Sequence, residues 1–287
     1  MKKKHIYIPI EILVRELNTK IIFSYEAVLK DYRVYIGTKT GIDKIIQKKK
    51  ELSKAGIYFY KSQIISNRKY IKNIKRVCEK FVVSDEELGV GVSNIEYTLE
   101  RRCRNLHDID KFFVIGKKMM LNLINFDKYF KKISSITGWL KYDIYRKKNL
   151  KLFSSETEEI KAKYGDFYIF SSNYGALSDQ GLNLRMKSDK QLRESKNSKN
   201  TQNNYFTFKN AISDFKYLKK SLFKFLKKNP KFKLILRPHP ADSLYEDWKV
   251  FDQFENVKVI KKYDIVPWIF ASKGLIHRGC STSMDAY

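Results

Sequence analysis

The chain has 287 residues, enough for two domains of ordinary size, with 43% hydrophobic and 14% aromatic residues but only five prolines and twelve glycines, which excludes disordered, collagenous and linker-like classes. Lysine and arginine number 58 against 31 acidic residues, a net charge of +27 that directs attention to nucleic acid, anionic lipid or phosphorylated ligands. Of the basic residues 46 are Lys and 12 are Arg, spread through every segment. Base readers and phosphate forks favour Arg, so the surplus reads as solvated surface and nucleic acid is not the expected partner. Cys78, Cys103 and Cys280 lie far apart with no CxxC or CxxH spacing, which suits neither a disulfide framework nor a zinc site.

The amino end, MKKKHIYIPIEILVREL, is basic like an export signal, but Glu11, Arg15 and Glu16 interrupt its apolar run. No stretch reaches the roughly 18 uncharged residues of a membrane span. The expectation is a cytoplasmic protein, with attachment at the inner face of the membrane left open.

From residue 6 the chain alternates short runs rich in Ile, Val, Tyr and Phe with stretches of helical apolar spacing. The runs at 6–10, 34–37, 57–60, 81–84, 112–116 and 133–138 read as strands. Pro9 is expected to break the first of them. Ile12, Leu13, Leu17, Ile21, Tyr25, Val28 and Leu29 mark one face of a long first helix, and further helices fall at about 42–54, 67–79, 94–106 and 117–130. Strands separated by such helices predict α/β architecture with a parallel sheet wrapped on both faces.

The charged segment 144–160 places a boundary between an amino-terminal domain, 1–150, and a carboxy-terminal domain, 151–287. The second series has strands at 167–171, 233–237, 257–260 and 274–277 and a helix near 206–228, and the polar stretch 183–204 reads as a mobile loop. STSMDAY then resembles a first helical turn with nothing after it, which suggests a second domain incomplete at its carboxyl end.

Four motifs carry chemistry. Arg237, Pro238, His239 and Pro240 end the strand KLILR, where open α/β sheets bind ligands, and the two prolines fix the direction of the imidazole. His277 to Ala286 form a strand end, a tight turn at Gly279, and Ser281, Thr282 and Ser283 at a helix start suited to an anion, with Asp285 one turn on. Ser84 to Gly89, SDEELG, places adjacent carboxylates at a strand end, where repulsion raises the proton affinity of at least one. Glu11 stands at the end of the first strand, with Arg15 and Glu16 one turn later. Ser171 and Asn173 at the end of FYIFS, and Gly138 in the turn TGWLK, complete the candidate cleft.

These segments, IYIPIEILVREL, DEEL, TGWLKYD, RPHP and PWIFASKGLIHRGCSTSMDA, together resemble the bacterial surface carbohydrate biosynthesis proteins. The resemblance implies a GT-B-like fold of two Rossmann-like domains facing across a cleft, the first for the acceptor and the second for a nucleotide-sugar. A looser similarity extends to bacterial sialyltransferases and Kdo transferases. It implies Glu86 or Glu87 as the catalytic base and His239, Ser281 and Thr282 as ligands of the donor phosphate; Glu11, from its place at the end of the first strand, is a further catalytic candidate. Three departures stand out: Leu88 separates the acidic pair from Gly89, the turn reads GWLK, and Asp285 stands where Glu is common.

The leading expectation is therefore a glycosyltransferase of surface polysaccharide biosynthesis. It would move a sugar from a nucleotide-sugar, CMP-activated in the looser similarity, to a glycan or lipid-linked acceptor. Arg, His and helix dipoles would serve in place of a metal, with no further cofactor. The run DID at 108–110 matches a metal-binding DxD pattern, but its place ahead of a strand argues against that role. The alternative on the same fold is a sugar-nucleotide epimerase, which needs no acceptor, or a polyol-phosphate transferase. The non-enzymatic alternative is a basic protein bound to nucleic acid or an anionic membrane surface.

Overall fold

A computed structural model describes residues 4–48, 56–63, 68–88, 95–104, 107–174, 199–239, 245–262 and 264–286. The chain forms two compact units, Met1–Leu152 and Phe153–Tyr287. Each is an α/β unit around its own parallel sheet.

In the first unit, strands β1 (His5–Ile10), β2 (Arg33–Thr38), β3 (Gly56–Tyr60), β4 (Lys80–Ser84), β5 (Lys111–Val114) and β6 (Ser134–Ile136) lie in the order β2-β1-β3-β4-β5-β6. Helices α1 (Leu13–Leu29), α2 (Lys39–Lys48), α3 (Arg68–Lys75), α4 (Ile95–Cys103), α5 (Lys117–Phe126), α6 (Phe130–Ile133) and α7 (Lys147–Leu150) accompany them. β1 is buried at all six positions, as a central strand covered on both faces must be. Its alternate residues feed two cores. Tyr7 joins Tyr58, Tyr60, Phe81, Val83 and Phe112 on one face, and Ile6 and Ile8 join Phe59, Val82 and Ala27 on the other. Ring stacking of Tyr7 on Tyr35 at 5.1 Å and of Tyr58 on Phe81 at 5.5 Å carries the first core across four strands.

Two local expectations are corrected here. β1 runs through Pro9 to Ile10 against β2, while its pairing with β3 ends at Tyr7 and Tyr58, so Pro9 closes one ladder without breaking the strand. The apolar stripe of α1 is largely turned to solvent: Leu13, Ile21, Tyr25, Val28 and Leu29 are exposed, and the buried side holds Glu16, Thr19, Lys20, Ile22 and Ala27. Ion pairing makes that inversion tolerable, as described below.

In the second unit, β7 (Tyr168–Ser171), β8 (Leu234–Arg237), β9 (Val257–Val259) and β10 (Gly274–His277) lie in the order β10-β7-β8-β9. They are accompanied by α8 (Ser154–Tyr164), α9 (Lys199–Lys228), α10 (Tyr245–Trp248) and α11 (Ile265–Ala271). Leu234 and Leu236 pack with Phe170, Phe215, Leu226 and Trp248 on one face, and Ile235 packs with Phe167, Ile169 and Trp268 on the other. Of the polar stretch expected as a loop, 183–198 lies outside the described residues and 199–204 belongs to α9. Ser281–Met284 forms a short 3-10 turn after β10. Among the described residues, no helix is long and apolar enough to cross a membrane.

The exit of β4 is held by a buried fork. Arg102 on α4 donates from Nε to Asp85 Oδ2 at 3.0 Å and from Nη2 to Asp85 Oδ1 at 2.8 Å, while Asp85 Oδ1 also accepts the backbone N–H groups of Glu87 and Leu88 at 2.8 Å each. Replacing Arg102 by Met strands that carboxylate in the interior, and urea unfolding should show a loss of about 3–5 kcal/mol. A loss under about 0.5 kcal/mol, the range of an ordinary surface substitution, would show that the fork is ornamental.

Candidate functional site

The strand orders locate the crevices. In the first sheet the chain passes from β1 outward to β2 and then crosses back to β3 on the other side of β1, so the switch point lies at the carboxyl ends of β1 and β3. In the second sheet it lies at the carboxyl ends of β7 and β10.

At the first switch point five ionisable side chains alternate in sign. Glu11 follows β1, and Lys61 follows β3. Lys61 Nζ lies 3.1 Å from Glu11 Oε2 and 2.5 Å from Glu16 Oε1. Lys20, only 1% exposed, donates to Glu16 Oε2 at 2.7 Å and to the Pro9 carbonyl at 3.0 Å, and its Nζ lies 3.9 Å from Glu86 Oε1. Glu16 also accepts the backbone N–H groups of Glu11 and Ile12 at 3.2 and 2.9 Å, which closes the start of α1 in the manner of a capping box. Tyr60 donates to Glu11 Oε1 at 2.6 Å, and Lys39 on α2 reaches the Tyr60 hydroxyl at 2.9 Å and lies 4.0 Å from the centre of the Tyr70 ring.

This arrangement separates the carboxylates that the sequence leaves together. Burial would raise the pKa of Glu16, but the ammonium groups of Lys20 and Lys61 outweigh it and hold the carboxyl below the usual range. Glu11 is likewise lowered, burial being overcome by the Tyr60 hydroxyl, Lys61 and Lys39. Glu86 goes the other way: burial pushes it up, and Lys20 opposes this only in part. Its side chain keeps 24% exposure. Glu87 is 58% exposed and paired with Arg102 at 3.0 Å, and Asp85 is enclosed by the Arg102 fork, so Glu86 is the carboxyl of SDEELG left at the crevice. Gly89 lies outside the described residues. Arg15 is exposed on the first turn of α1, and Gly138, at φ +80, turns the chain after β6, three strands from β3.

At the second switch point adjacent residues of one strand end tie two loops. Ser172 Oγ accepts the His239 backbone N–H at 2.9 Å, and Asn173 Nδ2 donates to the Gly279 carbonyl at 2.9 Å. Ser171, the last residue of β7, pairs in register with Arg237 and His277. Gly279 at φ +57 makes a left-handed turn that a side chain would strain. In the turn that follows, Ser283 Oγ donates to the Cys280 carbonyl at 2.8 Å, Thr282 Oγ1 lies 3.1 Å from Cys280 Sγ, and Asp285 is buried. Arg237 is occupied elsewhere: Nη1 donates to the Lys262 carbonyl at 2.8 Å and the guanidinium stacks 4.9 Å from the Trp268 ring centre, which makes it a tie to α11. Pro240 lies outside the described residues.

Sequence reasoning passed over Lys20 and Lys61, because lysines are everywhere in this chain. A usable signal existed for the first: Glu16 and Lys20 form an i, i+4 pair beside a strand end.

No family model matches the sequence, and no curated protein does. The fold is similar to that of solved nucleotide-sugar enzymes. The Methanocaldococcus jannaschii UDP-GlcNAc 2-epimerase in complex with UDP-GlcNAc and UDP has 11% identity over 96% of this chain and 78% of that one, with a TM-score of 0.56. The Rickettsia bellii UDP-N-acetylglucosamine 2-epimerase has 12% identity over 100% of this chain and 76% of that one, TM-score 0.52. The UDP co-structure of S. aureus MnaA has 11% identity over 96% and 74%, TM-score 0.54. These likenesses show a GT-B-like α/β fold with two Rossmann-like units. They also correct the leading expectation of a glycosyltransferase, since the solved structures that share the fold are named as epimerases, the alternative reading.

The cluster at the first switch point makes the chain acid-sensitive in a defined direction. The folded-state pKa values of Glu11 and Glu16 lie below their unfolded values, so their stabilisation is complete above the ordinary carboxylate range and is lost as pH falls through the depressed values. The thermal midpoint should therefore drop between neutral pH and pH ~3, and drop less steeply in Glu16→Gln. Equal slopes in the two proteins would contradict this account.

Proposed function

We propose that the chain is a sugar-nucleotide epimerase whose acid–base group is Glu86. Inverting a carbon that bears hydrogen beside the anomeric centre breaks its C–H bond, the electron pair expelling the nucleoside diphosphate as the C1–O bond breaks, and a proton delivered to the opposite face forms the new C–H bond as the C1–O bond re-forms. The group that takes the proton must hold it and release it near neutral pH, which favours a carboxyl with raised proton affinity. Glu86 is that carboxyl: it stands at a strand end, is partly exposed, lacks the enclosing fork of Asp85 and is pushed up by burial. This observation carries the reading, and the fold likeness to UDP-GlcNAc 2-epimerases supports it.

The second unit takes the nucleotide. The His239 turn and the Ser281–Ser283 turn, both tied to the end of β7, supply an imidazole and hydroxyls for a diphosphate, without a metal or further cofactor. The substrate is a nucleotide-sugar of the uridine class, as in the solved neighbours. No sugar acceptor takes part. The resemblance of the strand-end motifs to surface carbohydrate biosynthesis proteins suits a product sugar destined for a surface glycan.

Incubation with UDP-GlcNAc in D₂O should yield epimer carrying deuterium at the inverted carbon. Glu86→Gln should lower turnover by about 10²-fold or more while UDP binding persists. Because the ionised form takes the proton, turnover should rise with pH through the raised pKa of Glu86, placing the acidic limb above the ordinary carboxylate range. Undiminished turnover in Glu86→Gln would remove Glu86 from the mechanism. Sugar transfer to an added glycan with no epimer formed would remove the reading itself.

The nucleotide site is tested separately by calorimetry with UDP. His239→Ala should weaken binding by about 1.5–3 kcal/mol, roughly ten- to a hundredfold, the worth of a hydrogen bond to a charged group. Unchanged UDP affinity would place the nucleotide elsewhere.

A further inference from the structure

We infer that Lys20 is a positioning residue for the Glu86 carboxyl, and that Glu16 and Glu86 compete for its ammonium group. The inference rests on the acid–base reading of Glu86 given above and adds the device that lets that carboxyl change charge in a half-closed crevice.

Lys20 sits at the centre of the cluster. Of its three N–H donors, one is directed to the Pro9 carbonyl at 3.0 Å and one to Glu16 at 2.7 Å. Glu86 Oε1 is the next acceptor, at 3.9 Å, near enough for Coulomb attraction and too far for a hydrogen bond. The Pro9 carbonyl, at the end of a fully buried central strand, pins the ammonium while leaving it able to pivot. Glu16 is itself held by Lys61 and by two backbone N–H groups, so it remains paired when Lys20 moves.

The charge logic follows. In the arrangement observed, Lys20 rests on Glu16 and stands 3.9 Å from Glu86. When Glu86 gives up its proton the new carboxylate draws Lys20 across the gap, so compensation arises only in the state that needs it. Among the described residues, the charged groups that act on Glu86 include Lys20, Glu16 and Arg15 from α1 and Lys61 from the end of β3. Lys20, Lys61 and Arg15 favour its ionised form, and Glu16 disfavours it. Removing Lys20 and removing the charge of Glu16 must then move Glu86 in opposite directions, which a general loosening of the fold does not do.

The experiment is an NMR titration of the full chain labelled with carboxyl-¹³C glutamate, the Glu86 signal being assigned from its loss in Glu86→Gln. In Lys20→Met the Glu86 midpoint should move up, in Glu16→Gln it should move down, and in Lys20→Arg it should stay near that of the parent. The acidic limb of the turnover profile should follow the same signs. An unmoved midpoint in Lys20→Met, or shifts of the same sign in Lys20→Met and Glu16→Gln, overturns the inference. If Lys20→Met does not fold, Glu16→Gln decides alone: a fall supports the competition, and no change or a rise refutes it. The titration needs no substrate, so its result stands whether or not Glu86 proves to be the acid–base group, and the two claims fail separately.

Discussion

The buried ion cluster of Glu16, Lys20 and Lys61 is the constraint on which the first unit depends. Taking one ion out of water costs several kcal/mol even after relaxation, and removing one member of a buried pair leaves its partner uncompensated. Here the compensation comes from three elements at once: the carbonyl at Pro9 in β1, two carboxylate oxygens on α1, and the ammonium that follows β3. The ends of β1 and β3 and the first turns of α1 are thereby fixed against one another. The same cluster explains why α1 lies with Glu16, Thr19 and Lys20 inward and Leu13, Ile21, Tyr25 and Val28 outward. Rolling the helix to bury its apolar stripe would expose those residues' partners and break the cluster.

The second unit solves the corresponding problem with neutral groups. Ser172 and Asn173, adjacent at the end of β7, hold a backbone N–H on one flanking loop and a carbonyl on the other. Neither contact carries a formal charge. Arg237, the residue that would look best suited to an anion, is instead stacked on Trp268, where the guanidinium fills the gap between β8 and α11.

A GT-B-like fold hosts both transfer to an acceptor and inversion of a sugar carbon, because both begin by gripping a nucleotide-sugar. In the proposed reading RPHP and the Ser/Thr turn serve that shared step, so they do not distinguish the two reactions. The distinction lies in the group that meets the sugar. A transferase requires a base for an acceptor hydroxyl, whereas an epimerase requires a group that takes a proton from carbon on one face while another proton is delivered to the other. Three adjacent carboxyl-bearing residues serve either need on paper. Folded, only Glu86 stays available, Asp85 having become a structural fork and Glu87 an exposed partner of Arg102.

The sequence by itself determined the ten strands, their alternation with helices and the placing of Glu11, Glu86, His239 and Ser281 at strand ends, because period-two and helical apolar spacing are local properties and strand ends follow from them. It also determined that Ser171 and Asn173 stand at the end of β7. Only the tertiary structure decided which face of α1 is buried, that β1 continues through Pro9, which carboxyl of SDEELG is enclosed, and that Lys61 joins the Glu16–Lys20 pair. Those outcomes depend on desolvation and on charges brought together from 17 residues apart, as Asp85 and Arg102 are, to 45, as Glu16 and Lys61 are. No local pattern reports the burial of a lysine in a chain that carries 46 of them.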